Sequence, residues 1–380
     1  MRALNRNLSV LIPDGDSYTL RIVLNCLSEN KNWKIHVIAS ELPKTIACSN
    51  KITEIHALPN LNKENEIDWI YGINNVVETH NIDIILPIDE KAIRCLSKNK
   101  WHVTPNKLGL VPPIESFNKA INKGELSKYL TYNQLPSPTT FLFSEHEICE
   151  KSPINFPVIM KLIEDYIGGG AGIILFNDEK SLNHYFLNNK IEFPYLIQDY
   201  IEGYDIDCSV LCENGEILAF TIQKATMKDI SDFMPPLGVE FLYNKEVYAI
   251  IEELMISLNW SGVAHVDMRY DANDNSYKII EINPRFWLSL DASLMAGVNF
   301  THFYCLASKG VEFEVPKYKN IRYLNLVGLN KAIKKNLFFI FKFKFLVNNT
   351  PLKFYKKDLL PMAYMVFYKL KSIVKKALRF

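Results

Sequence analysis

The chain has 380 residues, 48% of them hydrophobic, with 43 Lys and Arg against 42 Asp and Glu. That length holds two or three domains of ordinary size, and the composition excludes a lone small module and a disordered chain. The net charge of +1 hides an asymmetry: residues 331–380 carry thirteen basic side chains and a single acid, Asp358, which leaves 30 basic and 41 acidic residues in the rest.

Seven cysteines, an odd number without a CxxC pair, predict a reduced cytosolic chain. Met1–Asn7 lacks the apolar core of a secretory signal. Leu337–Val347, the most apolar stretch, is short and interrupted by Lys342 and Lys344, so a membrane span is not expected.

In chain order, Leu8–Pro13 reads as a buried strand, Leu20–Leu27 as an amphipathic helix and Ile35–Ala39 as a second strand. The rhythm recurs as a helix over Ile67–His80, a strand over Ile82–Ile88 and a helix over Glu90–Lys98. A small doubly wound parallel sheet is predicted there. Gly15 stands without the rest of a GxGxxG fingerprint, which argues against nicotinamide binding. Pro112-Pro113 marks a junction, and one helix is predicted from Ser116 to Asn133. Short strand-like runs then dominate: 156–163, 172–176, 195–198, 207–211, 217–224, 262–270 and 277–282, with helices over 179–187 and 246–258. This pattern predicts mixed antiparallel α+β structure.

The segment from Gly262 to Arg285 concentrates chemistry. A polar turn near Asn273-Asp274 folds its strands into a hairpin, which brings Asp267 opposite Ile280 and Glu281 and puts Glu281 and Asn283 on one face. Asp267, Glu281 and Asn283 form an oxygen-rich set suited to Mg²⁺, with Arg285 in reach of a phosphoryl or carboxylate oxygen. Asp271, Asn273 and Asn275 imitate the start of an EF-hand, but Ser276 and Ile282 stand where glycine and glutamate are required. Upstream, Lys161 ends an apolar strand before the loop Gly168-Gly169-Gly170-Ala171-Gly172, which can approach phosphates although it is not a Walker A sequence. Gln198-Asp199-Tyr200-Ile201, followed by Asp205, offers a polar strand edge and an acid to an adenine and a ribose.

In this order the pieces resemble the ATP-grasp superfamily, especially its biotin carboxylase and carbamoyl phosphate synthetase-like carboxylate-amine ligases, over roughly residues 8 to 300. The resemblance implies an N-terminal doubly wound pre-ATP-grasp domain (1–110), a small lobe (111–195), a large lobe with the metal site (196–320) and a basic aromatic extension (321–380). It implies ATP and Mg²⁺ (or Mn²⁺) as cofactors. Lys123, in Asn122-Lys123 before Pro136, and Lys161 would be the nucleotide lysines, with Lys119 and Lys128 as rivals for the first. Gly168, Gly169 and Gly170 would cover the phosphates, Gln198, Asp199 and Ile201 would meet adenine, and Asp205 the ribose. Asp267, Glu281 and Asn283 would hold the metal, and Arg285 would be catalytic.

The expected activity is transfer of the ATP γ-phosphoryl group to a carboxylate, followed by attack of an amine on the acylphosphate. An ATP-grasp kinase and a non-catalytic nucleotide-binding protein are the alternatives. Lys224, Lys228, His265, Arg269 and Asp291, with the run Leu288–Ser293 as a substrate loop, are candidates for reading the acceptor. The tail interleaves lysines with Phe, Tyr, Leu and Ile, as in Phe338–Phe345 and Tyr364–Lys376, which suits either an anionic membrane surface or packing on the acidic body. No nucleic-acid motif accompanies it. A cytoplasmic protein, peripheral at the inner membrane face and acting in cell-envelope or capsule assembly, is the setting this suggests, with a homodimer as candidate assembly.

Overall fold

The computed structural model describes residues 7–143, 155–163, 172–189, 194–229, 233–364, 367–368 and 371. Gly168, Gly169 and Gly170, and most of the run Tyr364–Lys376, lie outside them.

The fold is mixed α/β and α+β. Strands β1 (Ser9–Ile12), β2 (Lys34–Ala39), β3 (Glu54–Ala57) and β4 (Ile84–Ile85) form a parallel sheet in the order β3-β2-β1-β4. Helices α1 (Leu20–Leu27), the short α2 (Lys44–Ala47), α3 (Glu66–Thr79) and α4 (Glu90–Lys98) accompany it. Every β1 residue after Ser9 is buried, as a strand covered on both faces requires. Gly15 has a packing reason: its N–H donates to Ile38 O (2.8 Å), and a Cβ would sit 2.4 Å from Val37 Cγ1.

The single helix expected from Ser116 to Asn133 is two helices, α5 (Ile114–Ile121) and α6 (Lys123–Tyr132). The chain bends at Asn122, whose extended backbone and side-chain oxygen, accepting from Glu125 N (2.9 Å), cap the second helix. The Lys123 N–H escapes the helix ladder and donates to Ile163 O (3.1 Å), so a tertiary contact decides the break.

Strands β5 (Thr140–Phe143), β6 (Val158–Leu162), β7 (Ile174–Phe176) and β8 (Tyr195–Asp199) form an antiparallel sheet in the order β5-β8-β6-β7, with α7 (Glu179–Asn188) following β7. The third sheet is β13-β12-β9-β10-β11-β14: β9 (Gly203–Glu213), β10 (Glu216–Met227), β11 (Gly238–Phe241), β12 (Gly262–Asp271), β13 (Ser276–Asn283) and β14 (Arg322–Leu324). Helix α8 (Lys245–Ser257) buries Val247, Ile251, Leu254 and Met255 in a core that also holds Leu126 and Leu130 of α6. Gly203, at the turn into β9, leaves no room for a side chain, since a Cβ would lie 1.9 Å from Tyr270 O.

Two later helices, α9 (Leu290–Ala296) and α10 (Phe300–Ser308), bind the first sheet to the third. Trp287, Phe300 and Tyr304 share one core with Val10, Leu24 and Val37. The expected substrate loop Leu288–Ser293 is therefore mostly the start of α9, and Asp291 is buried and accepts from Tyr323 O–H (2.9 Å). Burial pushes its carboxyl up to about 6, so Asp291 is a core residue rather than an acceptor reader.

Helices α11 (Leu326–Lys335), α12 (Phe343–Asn348) and α13 (Leu352–Tyr355) follow β14. Packing and exposure divide this tail. Phe354 and Asp358 are buried against the first domain, where Asp358 accepts from Ser49 Oγ (2.5 Å), and Lys357 pairs with Glu29 (2.9 Å). Leu337, Phe338, Phe341 and Phe343 instead face solvent, each more than 60% exposed, alongside Lys342 and Lys344. Among the described residues no helix is long and apolar enough to cross a membrane.

Candidate active site

Three neighbouring strands align their acids in one row. Asp267 on β12 is opposite Asp207 on β9 and opposite Glu281 on β13, and a bulge after Asp267 sets that last register. Asn283 joins the row: its Nδ2 donates to Asp267 Oδ2 (3.2 Å), and its Oδ1 accepts from Arg285 Nη2 (3.2 Å) while keeping a second lone pair.

Two lysines act on the row from different elements, Lys123 at the start of α6 and Lys161 on β6. Lys123 Nζ lies 3.6 Å from Glu281 Oε2, whereas Lys119 stacks on Tyr129 and Lys128 pairs with Glu125 (2.9 Å), which separates the three rivals by geometry. Lys161 is 3% exposed on β6. Burial pulls its ammonium from 10.5 down to about 8, with Glu281 opposing the fall.

The acids respond unequally to this field. Burial pushes Glu281 up, but Lys123 and Lys161, with hydrogen bonds to Asp267 and Asn283, outweigh it and hold the carboxyl at about 2. Burial and the adjacent Glu281 push Asp267 well above the usual range, and burial takes Asp207 up to about 7 against the hydrogen bond from Gln223. Carboxylates driven apart in this way are a common mark of a functional site. The donor set is carboxylate and amide oxygen, the chemistry a hard cation such as Mg²⁺ prefers, with positions left for phosphate oxygens.

Arg285 links the row to the first domain. Its Nε donates to Glu90 Oε1 (2.9 Å), its Nη1 to Phe286 O (3.1 Å), and its guanidinium lies 5.4 Å from the Tyr18 ring. His265 is near Asp267 (Nε2 to Oδ1, 3.2 Å), is fixed by Ser209 Oγ at Nδ1 (2.8 Å) and stacks on Trp287. Burial, with Arg285 close by, lowers it to about 3, so it is neutral.

The residues expected to meet adenine and ribose sit on β8, which is an inner strand of its sheet rather than an edge, and on the segment beyond it. Gln198 is buried, donates to Thr140 Oγ1 (2.8 Å) and leaves Oε1 without a partner; Asp199 likewise has a buried, unpartnered Oδ1. Ile201 is buried, and its carbonyl accepts from Arg269 Nε (2.6 Å). Asp205 is engaged on both oxygens, by Arg269 and by Lys228 Nζ (2.9 Å), so a ribose hydroxyl would have to share it. Lys224 packs over the Tyr204 ring at 3.5 Å. Asp207, Glu90 and Tyr18 were not anticipated as site residues. The acid at the start of the apolar run Asp207–Leu211 was the one available signal for the first; nothing local marks the other two.

Residues 120–289 match the family model of the ATP-grasp domain, and the chain carries that domain. The D-aspartate ligase of Enterococcus faecium (strain Aus0004) is 25% identical over 209 residues, which is 49% of this chain and 49% of that protein, so the chain spans about half the length of this curated relative. Two solved structures share the fold. An L-amino acid ligase from Bacillus licheniformis superposes with a TM-score of 0.56 at 17% identity, over 82% of this chain and 75% of that one. N5-carboxyaminoimidazole synthetase from Staphylococcus aureus complexed with ADP gives 0.64 at 14%, over 87% and 85%. The resemblance drawn from the motifs is therefore borne out at the level of domain and fold.

Proposed function

We propose that the protein is an ATP-dependent ligase that activates a carboxylate as an acylphosphate and joins it to an amine. One observation carries the reading: Lys123 at the start of α6 and Lys161 on β6 both act on Glu281 of the acid row, so cations for phosphate oxygens and ligands for a metal are brought together. Mg²⁺ on Asp267, Glu281 and Asn283 would neutralise charge on the phosphate oxygens. Lys123 and Lys161, now balanced by Glu281, are free to exchange that partner for phosphate. Gln198 and Asp199, at the end of β8 with a side-chain oxygen each left unpartnered, suit the adenine. The γ-phosphoryl group passes to the substrate carboxylate with loss of ADP, and the amine then displaces phosphate. No protein nucleophile is needed.

An amino acid fits as a substrate. Arg285 and Glu90, 2.9 Å apart, form an opposed pair at the domain junction, matching a carboxylate and an ammonium respectively. Two of the similar proteins are amino acid ligases by name. The test is an ADP-release screen that offers amino acids and sugar acids as carboxylates, with and without a second amine. ADP and free phosphate formed only when both substrates are present supports a ligase. Phosphate retained on a single product identifies a kinase, and no turnover with any pair leaves only nucleotide binding.

The exposed rings of Phe338, Phe341 and Phe343 beside Lys342 and Lys344 favour an attachment to anionic lipid, with an envelope or capsule precursor as the setting. Because Phe354 and Asp358 pack on the first domain, the clean variant is Phe338→Ser/Phe341→Ser/Phe343→Ser rather than a truncation. Equal sedimentation of this variant and wild type with anionic liposomes removes the attachment.

A further inference from the structure

Away from the acid row, four side chains of the first domain converge on one point. His36 on β2 is opposite Glu54 on β3, and His56 follows two residues later, so period two puts both β3 side chains on the same face. His80 caps the C-terminal end of α3, which packs on that face. His36 Nδ1 lies 3.0 Å from His56 Nε2 and 3.8 Å from Glu54 Oε2, and His80 Nδ1 lies 3.1 Å from Glu54 Oε2. All four ligand atoms fall within 4.8 Å of one another.

We propose that His36, Glu54, His56 and His80 bind one Zn²⁺ ion. Tetrahedral zinc with bonds of about 2.0–2.1 Å to nitrogen and oxygen needs ligand atoms about 3.3–3.5 Å apart, and the separations here bracket that value. Three imidazoles and one carboxylate are a borderline donor set, suited to zinc and unlike the all-oxygen set of the acid row. The rings are already organised: His36 and His56 stack within 7° of parallel, and the centroids of His56 and His80 are 4.4 Å apart. His36 is 4% exposed, and its Nε2 has no partner, so the ring is held entirely from its Nδ1 edge.

The position says what the ion does. Strand β3 is an edge strand, and His36 and Glu54 lie near the starts of their strands, whereas Glu90 opens the helix just beyond the end of β4. The zinc site is thus at the opposite end of the sheet from Arg285 and ties the edge strand to α3. It is a structural site, independent of the ligase reading.

The full-length protein, stripped with chelator, is titrated with ZnCl₂ in excess Mg²⁺, added to compete for the acid row. Wild type and His265→Ala, a control for the histidine of the acid row, are expected to take up one Zn²⁺ with equal affinity. His56→Ala and His80→Ala are expected to bind at least roughly 100-fold more weakly, beyond the loss typical of outer-shell partners. Zinc-edge X-ray absorption of the wild type needs no variant and should report about three imidazole nitrogens at about 2.0–2.1 Å. Failure of the wild type to retain zinc, equal affinity in the His56 and His80 variants, or a spectrum without imidazole overturns the proposal.

Discussion

Glu281 concentrates the logic of the acid row, so Glu281→Gln is the sharpest perturbation. Burial pushes the carboxyl up from its ordinary 4.5, but Lys123 and Lys161 together with hydrogen bonds to Asp267 and Asn283 outweigh it and hold it at about 2. At about 1.4 kcal/mol per pH unit, that preference for the charged form is worth about 3 kcal/mol. Some of it returns on substitution, because Glu281 also pushes Asp267 up and that repulsion disappears. The net loss of stability at pH 7 should therefore be about 1–3 kcal/mol, small enough for the fold to survive. The sign follows from linkage: a carboxyl depressed in the folded state stabilises fully above about 4.5, and the contribution is lost as pH falls through about 2. The melting difference between variant and wild type should accordingly shrink in acid. Turnover should fall at least about 10²- to 10³-fold, the cost of losing one preorganised electrostatic partner at a reacting phosphate. A coupled ADP-release assay with parallel thermal melts measures both quantities. A folded Glu281→Gln protein that turns over within tenfold of wild type refutes the assignment of this row to ATP chemistry.

Lys161, lowered to about 8, should give kcat/KM for ATP a limb that falls as pH rises through about 8; in Lys161→Arg the charge persists, and a limb left unmoved in that variant assigns it elsewhere. Glu90→Gln removes the carboxylate facing Arg285 and should raise KM for the amine substrate by roughly 10- to 100-fold, with little change for ATP; steady-state kinetics in each substrate separates the two, and an unaltered amine KM is the contrary result. Asp358→Ala strips the partner of Ser49 and leaves the half-buried Lys51 without its acid, which should cost about 1–3 kcal/mol and open the tail to limited proteolysis while ADP release is unchanged. Identical melting and cleavage patterns in variant and wild type count against that docking.

The hairpin of the acid row was readable because its information is local: Asp267, Glu281, Asn283 and Arg285 lie on two strands joined by one turn, and period two assigns their faces. Asp207 enters through the β9–β12 pairing, which joins residues some sixty positions apart, and no local pattern specifies that register. The break at Asn122 was invisible for a related reason, since it depends on the carbonyl of Ile163, just beyond β6. Asp291 shows the opposite failure: an acid in a polar-looking run became a buried partner of Tyr323. His36, His56 and His80 carry no spacing motif, because a parallel sheet and the helix end bring them together.

The tail's one acid has a mechanical consequence. Strand β14 is stitched to β11 in the large sheet, and some thirty residues later Asp358 plugs into Ser49 of the first domain, so the intervening helices run like a strut between the two. Those domains already share the core around Trp287, whereas the β5–β8 sheet keeps a separate core of Val158, Met160, Phe176, Leu182 and Ile197. The strut therefore braces the side of the site that carries the acid row and Arg285, while Lys161 belongs to the sheet that stands outside that brace.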